Sequence, residues 1–202
     1  MARAASFCGV ILAAGASSRM GRDKALLPWP PGGAGTFLSA AMEMLAPHTE
    51  LLIVVAGANA PSLEPVVYSR GAYLAPNPEP ERGQLSSLQI GLQEVLNRGR
   101  DTALVTLVDR PPASHATVAK LRSAYMDASG DGWAVVPEFA GRHGHPVVMG
   151  RDLIGAMLRA PVTSTARDVE HANQAHILYL PVDDANVVAN VNTPEEYAQL
   201  KS

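Results

Sequence analysis

The sequence has a single cysteine, Cys8, among its 202 residues, and it has no long apolar or basic run. One thiol excludes a disulfide framework and a zinc site of four cysteines. No apolar stretch approaches the roughly 18 residues that a membrane-spanning helix needs. The formal net charge of −3 and the lack of a basic run argue against a nucleic-acid-binding surface. We therefore expect neither a membrane nor a nucleic acid as a partner.

The N-terminal apolar stretch Ala4–Ala14 has two interpretations. It follows Arg3 and precedes small residues, as the apolar region of a secretory signal peptide does. However, only one arginine precedes it, and cleavage near Ala14 would remove the first strand of an α/β pattern. We therefore predict that the stretch is retained and that the protein is cytoplasmic.

The chain does contain a regular alternation of apolar runs and helical periods, and its hydrophobic content is 47%. A chain of this length can bury about 70% of its unfolded surface. The apolar runs predict strands over 7–14, 51–56, 72–75, 103–108, 134–136, 146–149 and 176–182. Helical spacing predicts helices over 37–45 and 88–96, and capping patterns predict two more after Thr165 and Thr193. This alternation predicts one α/β domain over residues 1–202, a three-layer α/β/α fold with a mostly parallel sheet.

Residues 10–24, VILAAGASSRMGRDK, are the most informative segment. An apolar strand leads directly into a loop of small residues that begins at Gly15, and two cations, Arg19 and Lys24, follow. Small side chains let backbone N–H groups approach a polyanion, while the guanidinium forks onto phosphate oxygens and the ammonium adds a point charge. Because the loop leaves the carboxyl end of a buried strand, we predict a nucleoside triphosphate site there. The glycine spacing fits neither a P-loop nor a dinucleotide fingerprint.

The same segment resembles the L-A-A-G-x-S-x-R-M-G-x-x-K signature of the MobA-like nucleotidyltransferases. The matching residues are Leu12, Ala13, Ala14, Gly15, Ser17, Arg19, Met20, Gly21 and Lys24. The resemblance extends over residues 7–200 and implies the Rossmann-like nucleotide-diphospho-sugar transferase fold. It also implies Mg²⁺-dependent attack of an acceptor phosphate on an NTP, with Arg19 and Lys24 holding the triphosphate. By this resemblance Leu12, Ala13, Ala14, Gly15 and Ser17 also bind the nucleotide.

Asp109 follows an apolar run, in the segment Leu107-Val108-Asp109-Arg110-Pro111. A carboxylate at this edge of the sheet is a hard ligand of the kind that Mg²⁺ on a triphosphate prefers, although a loop acid or helix cap would show the same pattern. The segment resembles the family's Asp-Gln-Pro motif, whose Asp binds the metal. That resemblance assigns a catalytic and metal-binding role to Asp109. Arg110 replaces the usual Gln, a change expected to alter contacts with the acceptor.

A second candidate segment runs from Asn77-Pro78 to Gly83, Ser86 and Ser87. Free N–H groups and hydroxyls at a helix start suit a ribose or a phosphate, but an ordinary N-cap has the same composition. The segment resembles the Asn-Pro and Gly-x-x-x-Ser-Leu pattern of the molybdenum cofactor cytidylyltransferase branch. This resemblance implies that Asn77, Gly83, Ser86 and Ser87 bind nucleotide. Together with Ala14 it favours CTP as the substrate.

The third segment, Gly141-Arg142-His143-Gly144-His145-Pro146, contains two histidines between glycines. A metal site is disfavoured because neither an acid nor a cysteine accompanies the two histidines in this segment. Turn chemistry and an acceptor pocket both remain open. The segment resembles the Gly-His-Pro segment of the cytidylyltransferase branch, which implies that Arg110, His143, Gly144, His145 and Pro146 contact the acceptor, by analogy molybdopterin.

The C-terminal segment Asn190-Val191-Asn192-Thr193-Pro194-Glu195 resembles the family's Asp-Ile-Asp-Thr-Pro-Glu. In many members the first Asp is a second metal ligand, and by this resemblance Asn190 is the second Mg²⁺ ligand here. A neutral amide oxygen binds Mg²⁺ more weakly than a carboxylate does, and Asp183 or Asp184 could compensate.

Three other functions remain open. The first is a cytidylyl- or uridylyltransferase that acts on a sugar or polyol phosphate. The second is a non-catalytic factor that binds the cofactor and delivers it to a molybdoenzyme, which Asn190 and Arg110 suggest. A glycosyltransferase that uses a sugar nucleotide would usually carry an Asp-x-Asp, and the pair Asp183-Asp184 lacks that spacing.

Overall fold

The computed structural model describes residues 6–17, 20–128 and 132–200. Its first strand, β1 (Phe7–Leu12), is buried along its whole length, as its apolar sequence predicts. The other strands are β2 (Pro28–Trp29), β3 (Gly35–Thr36), β4 (Leu51–Ala56), β5 (Tyr73–Pro76), β6 (Thr102–Leu107), β7 (Ala134–Phe139), β8 (Arg142–His143), β9 (Val147–Gly150) and β10 (Ile177–Pro181). The helices are α1 (Phe37–Leu45), α2 (Ala60–Tyr68), α3 (Gln84–Asn97), α4 (His115–Asp127), α5 (Arg151–Arg159), α6 (Ala166–Ala172) and α7 (Pro194–Gln199).

The central sheet has the strand order β10-β7-β9-β6-β1-β4-β5, with β8 paired to β7, and β2 and β3 form a separate hairpin. Strand β1 runs parallel to β4 and β6, β4 runs parallel to β5, and β10 runs parallel to β7. Strands β8 and β9 are antiparallel to their neighbours, because β9 follows β7 through a short connection. The predicted mostly parallel sheet is confirmed.

Helices cover both faces of this sheet. Apolar residues of α1, α2 and α4 pack on one face, and those of α3, α5 and α6 pack on the other. Alternate residues of each strand supply the two cores, since neighbouring side chains point to opposite faces. In β1, for example, Ile11 joins the first core and Val10 joins the second. The predicted three-layer α/β/α fold is therefore confirmed.

The structure differs from the sequence prediction mainly at element ends. Strand β1 ends at Leu12, so Ala13 and Ala14 already belong to the loop. Helix α3 begins at Gln84, because Gly83 adopts φ +99°, a left-handed conformation that starts the helix abruptly. Both predicted capping boxes form, at Thr165 before α6 and at Thr193 before α7. No helix in the part of the chain that the structure describes combines the length and apolarity needed to cross a membrane.

Candidate functional site

A cavity of about 200 Å³ opens at the edge of the sheet where β1 and β6 end. These strands are parallel neighbours, so the segments that follow them meet at one edge, which is where open α/β sheets bind ligands. We call it the β1–β6 cavity. Its lining residues are Leu12, Ala14, Gly15, Ser17, Lys24, Pro80, Gln84, Ser87, Leu107, Val108 and Asp109. The structure thus brings together most of the predicted nucleotide-binding residues with Asp109.

The loop after β1 is held by hydrogen bonds on its outer side. Ala13 donates its N–H to the Val55 carbonyl over 2.8 Å, and its own carbonyl accepts from Asn59 Nδ2 over 3.0 Å. The same amide donates to Asp23 Oδ2 over 2.8 Å, which ties the loop to the turn before Lys24. Sequence reasoning missed Asn59, because no motif marks a residue that acts from the turn after a different strand.

Inside the loop, Gly15 faces open space, since a Cβ there would meet no atom within 4 Å. Ser17 adopts φ +50°, and its Oγ accepts from the Lys24 N–H over 3.1 Å. A non-glycine residue in this strained region is a feature of ligand-binding loops. The loop therefore presents small residues to the cavity on a fixed backbone. The predicted triphosphate ligand Arg19 lies outside the described residues.

Lys24 connects two parts of the site. Its Nζ lies 3.4 Å from Asp109 Oδ2 and donates to Asn192 Oδ1 over 3.1 Å. The Lys24 side chain is only 13% exposed, so water and salt screen its interaction with Asp109 less than they screen a surface ion pair. Ammonium, carboxylate and amide thus form one polar cluster on the cavity wall.

Asp109 keeps one carboxylate oxygen free. Its Oδ1 is buried and lacks a hydrogen-bond partner among the described residues. An unpaired buried acceptor is costly, and a cation bound there would remove the cost. Together with Asn192 Oδ1 it offers the hard oxygen ligands that Mg²⁺ prefers. Within the described ranges no three His, Cys, Asp or Glu side chains cluster into a ready metal site, so the remaining positions on Mg²⁺ would be open to phosphate oxygens or water.

The predicted second ligand, Asn190, is exposed, and it is Asn192 that contacts Lys24 beside Asp109. The chain is held there because Val191 donates its N–H to the Asp109 carbonyl over 2.9 Å. Sequence reasoning missed Asn192, although the resemblance had already marked the segment. Asp184 is committed elsewhere, because its Oδ2 accepts from Ser114 N and Thr117 Oγ1, each over 2.8 Å, at the start of α4.

Asn77 holds the start of α3, which forms the wall of the cavity opposite the loop, in place through hydrogen bonds. It is buried, and its Nδ2 donates to Ser86 Oγ and Ser87 Oγ, each over 2.9 Å. Ser86 Oγ in turn donates to the Gly83 carbonyl over 2.8 Å. These bonds fix the start of α3, where Ser87 and the unpredicted Gln84 line the cavity. The structure thus places Asn77, Gly83 and Ser86 behind the wall and Ser87 on it.

A second group of polar side chains surrounds two consecutive carbonyls. Arg110 Nη1 donates to the Val187 carbonyl and Arg142 Nη2 to the Val188 carbonyl, both over 3.2 Å. His145 donates its backbone N–H to the Val187 carbonyl over 2.9 Å. We call Arg110, Arg142 and His145 the arginine cluster.

The Gly-His-Pro segment is packed tightly against this cluster. A Cβ on Gly144 would collide with the Val187 carbonyl, and Pro146 is buried. His145 Nδ1 lies 3.3 Å from the Val105 carbonyl, which can only accept, so Nδ1 carries the proton. Burial, and secondarily the charge of Arg110, lowers the pKa of His145 to about 3. The imidazole is therefore neutral at physiological pH.

His143 lies in different surroundings. Its ring stacks on Tyr179 with centroids 4.0 Å apart, and its Nε2 lies 3.5 Å from Glu138 Oε2. It therefore contacts the edge strand β10, whereas His145 contacts β6. Of the predicted acceptor residues, the structure groups Arg110, Gly144 and His145 and places His143 at the edge of the sheet.

The chain was compared with known sequences and structures. Residues 9–183 match the family described as the MobA-like NTP transferase domain. The chain is 23% identical over 193 residues to the molybdenum cofactor cytidylyltransferase of Escherichia coli K12, covering 95% of this chain and 94% of that one. It is 29% identical over 203 residues to a probable molybdenum cofactor guanylyltransferase of Mycobacterium avium, covering 99% and 98%.

Solved structures share the fold. Rv0371c from Mycobacterium tuberculosis superposes with a TM-score of 0.80 at 24% identity, covering 98% of this chain and 99% of that one. A complex of Rv0371c with manganese gives a TM-score of 0.75 at 23% identity, covering 96% and 97%. The family match spans the sheet from β1 to β10 and includes the whole lining of the β1–β6 cavity. The chain therefore belongs to the MobA-like NTP transferase family and is a nucleotidyltransferase.

Proposed function

We propose that the protein is a Mg²⁺-dependent cytidylyltransferase that joins CMP from CTP to the phosphate of molybdopterin and releases pyrophosphate. The observation that carries the proposal is the β1–β6 cavity, in which a loop of small residues faces a cluster of Lys24, Asp109 and Asn192. A triphosphate needs backbone donors and a cation, and its metal needs oxygen ligands. The cavity supplies all of these.

In this proposal the loop at Gly15 binds the triphosphate through backbone N–H groups, and Lys24 contributes a charge. Because Lys24 is already held by Asp109 and Asn192, its ammonium is placed before the nucleotide binds. A preplaced charge costs little reorganisation during the reaction. Arg19 is proposed as a second cation on the same phosphates.

The residues present also fit a divalent cation. Asp109 and Asn192 would hold Mg²⁺ through side-chain oxygens, and Asn190 is proposed as a further donor. Bound Mg²⁺ supplies neutralisation of the negative charge on the phosphate oxygens. The complex of Rv0371c with manganese supports this assignment, because Mn²⁺ and Mg²⁺ both favour oxygen ligands.

In the proposed reaction the bonds form and break between the two substrates, and the protein itself forms no covalent bond. A phosphate oxygen of the acceptor attacks the α-phosphorus and forms a new P–O bond. The bond from the α-phosphorus to the oxygen that bridges it to the β-phosphorus breaks, and that electron pair leaves with pyrophosphate. The protein's contribution is to align the two phosphates and balance their charge.

The choice of CTP rests on the base end of the cavity. Ala14 on the loop faces the start of α3, where the carboxamide of Gln84 and the hydroxyl of Ser87 can hydrogen-bond a base edge. The E. coli cytidylyltransferase supports the choice. The M. avium relative favours a second candidate, guanylyl transfer to the same acceptor.

Titration calorimetry with the four NTPs and Mg²⁺ tests the nucleotide. We expect CTP to bind most tightly and Lys24→Ala to weaken its binding. A preference for GTP would replace the first candidate by the second. Mass spectrometry of reactions with molybdopterin and with sugar or polyol phosphates then identifies the acceptor. Pterin binding without transfer of any nucleotide would instead identify a maturation factor for a molybdoenzyme.

A further inference from the structure

The arginine cluster ties two guanidinium groups to one short segment of the chain. Arg110 and Arg142 come from distant parts of the chain, yet they donate to the carbonyls of the consecutive residues Val187 and Val188. Each contact uses one N–H, and a guanidinium has five. Most N–H groups of both side chains therefore have no partner among the described residues.

The two charges lack a matching acid. Among the described residues, neither guanidinium has a carboxylate oxygen within the 4.0 Å that defines an ion pair. The Nε of Arg110 is buried and has no hydrogen-bond partner in the part of the chain that the structure describes. Such an arrangement is unfavourable until an anion binds.

We infer that Arg110 and Arg142 bind the phosphate monoester of the acceptor as a paired clamp. This inference rests on the proposed function, because it concerns the second substrate of that reaction. A phosphate dianion matches two planar guanidinium groups, each of which can donate two parallel hydrogen bonds.

The position of the clamp fits the proposed transfer. Arg110 directly follows Asp109, which lines the β1–β6 cavity, so the clamp begins one residue from the proposed nucleotide site. The family's Asp-Gln-Pro pattern has a neutral Gln where this chain has Arg110. A neutral Gln cannot form an ion pair with a phosphate dianion, whereas an arginine can. Carbonyls of Val187 and Val188 hold the two side chains in place before the acceptor arrives, which lowers the entropic cost of binding.

NMR of the arginine Nε–H signals of the full chain, titrated with inorganic phosphate, tests the clamp directly. We expect the Arg110 signal to shift, and phosphate affinity to fall about tenfold or more in both Arg110→Gln and Arg142→Gln, because each loses charge-assisted hydrogen bonds. Arg159→Gln, an exposed arginine on α5, is the matched control and should bind as the wild type does.

Two further variants locate the bound phosphate. Lys24→Ala should leave the shift of Arg110 intact, whereas its loss would place the phosphate in the β1–β6 cavity and overturn the inference. Unchanged affinity in both Gln variants would also overturn it. If Arg110→Gln unfolds, Arg142→Gln tests the clamp alone, because Arg142 is exposed and far easier to replace.

Transferase kinetics separate this inference from the proposed function. Each Gln variant should raise the acceptor KM about tenfold while the nucleotide KM stays within a few-fold. If transfer occurs and the acceptor KM is unchanged, the clamp is wrong and the proposed function holds. If the clamp binds phosphate but no nucleotide is transferred to any acceptor, the proposed function is wrong and the clamp holds.

Discussion

The β1–β6 cavity and the arginine cluster lie at one edge of the sheet but are built in different ways. The cavity takes Gly15, Ser17 and Lys24 from one short stretch, in which the Ser17 hydroxyl accepts from the Lys24 N–H. The arginine cluster draws Arg110 and Arg142 to the carbonyls of residues 187 and 188. A local loop can be recognised as a motif, whereas a cluster of distant residues exists only after folding.

The segment 187–192 joins the two regions. Its first carbonyls hold the arginine cluster, the N–H of Val191 pairs with the Asp109 carbonyl, and Asn192 reaches Lys24. We therefore expect that changes in the cavity affect nucleotide binding and transfer. Changes in the arginine cluster should instead affect acceptor binding or the stability of the fold.

The largest effect is expected for Asp109→Asn, which keeps the shape of the side chain but removes its charge. Turnover should fall by about 10³-fold, because the site loses the carboxylate charge that contacts Lys24. Pyrophosphate release at saturating NTP, measured over a range of Mg²⁺, is the readout. Asp127→Asn, at the exposed end of α4, is the control. Unchanged activity and Mg²⁺ dependence in Asp109→Asn would show that the metal binds elsewhere. It would also contradict the role in nucleotide transfer proposed for the β1–β6 cavity.

Lys24→Ala should lower turnover by about 10²- to 10³-fold, the size expected when one preplaced charge on the transferring phosphates is lost. The control is Lys120→Ala, whose exposed ammonium only donates to the Pro181 carbonyl. The same pyrophosphate assay applies. A Lys24→Ala enzyme within a few-fold of wild type would reduce Lys24 to a structural contact of Asp109 and Asn192.

In the arginine cluster, His145 should make stability depend on pH. The unfolded chain binds a proton at this residue below about pH 6.5, whereas the folded pKa is about 3, so stability is lost as pH falls from 6.5 toward 3. Between pH 7 and 5 the free energy of unfolding should fall by about 1–2 kcal/mol from this group.

His145→Asn keeps an N–H donor but cannot titrate, so its stability should fall less over the same interval. Urea unfolding at each pH measures the difference. Between pH 7 and 9 His145 is neutral in both the folded and the unfolded chain. The difference in the free energy of unfolding between His145→Asn and wild type should therefore be constant over this interval. Equal slopes below pH 6.5 would show that the imidazole is protonated in the folded protein.

The smallest effect distinguishes the two asparagines. Asn192→Asp should lower the Mg²⁺ concentration for half-maximal activity several-fold, because a second carboxylate joins Asp109. If Asn190 is the metal ligand, as the resemblance implies, Asn190→Asp should lower this Mg²⁺ concentration as well. If the metal lies beside Asn192, which contacts Lys24, Asn190→Asp should have a smaller effect than Asn192→Asp. The half-maximal Mg²⁺ concentrations of the two variants, compared with wild type, decide between them.

The sequence predicted the residues that line the β1–β6 cavity better than the residues that hold them in place. Gly15, Ser17, Lys24 and Asp109 were all predicted and do line one cavity, because each belongs to a motif at the end of a strand. Asn59 and Asn192 were missed, since each acts on a residue far away in the chain. Asn77 was predicted at the nucleotide, yet in the structure its hydrogen bonds hold Ser86 and Ser87 in place.

The sequence by itself determined the three-layer fold, the edge of the sheet that carries the site and the family of the protein. Apolar periodicity sets strands and helices locally, and parallel neighbours place their carboxyl ends together. Only the tertiary structure decided that β9 runs antiparallel between β6 and β7 and that Asn192 meets Lys24. It also decided that two arginines share neighbouring carbonyls. These features depend on contacts between distant residues, which no local pattern encodes.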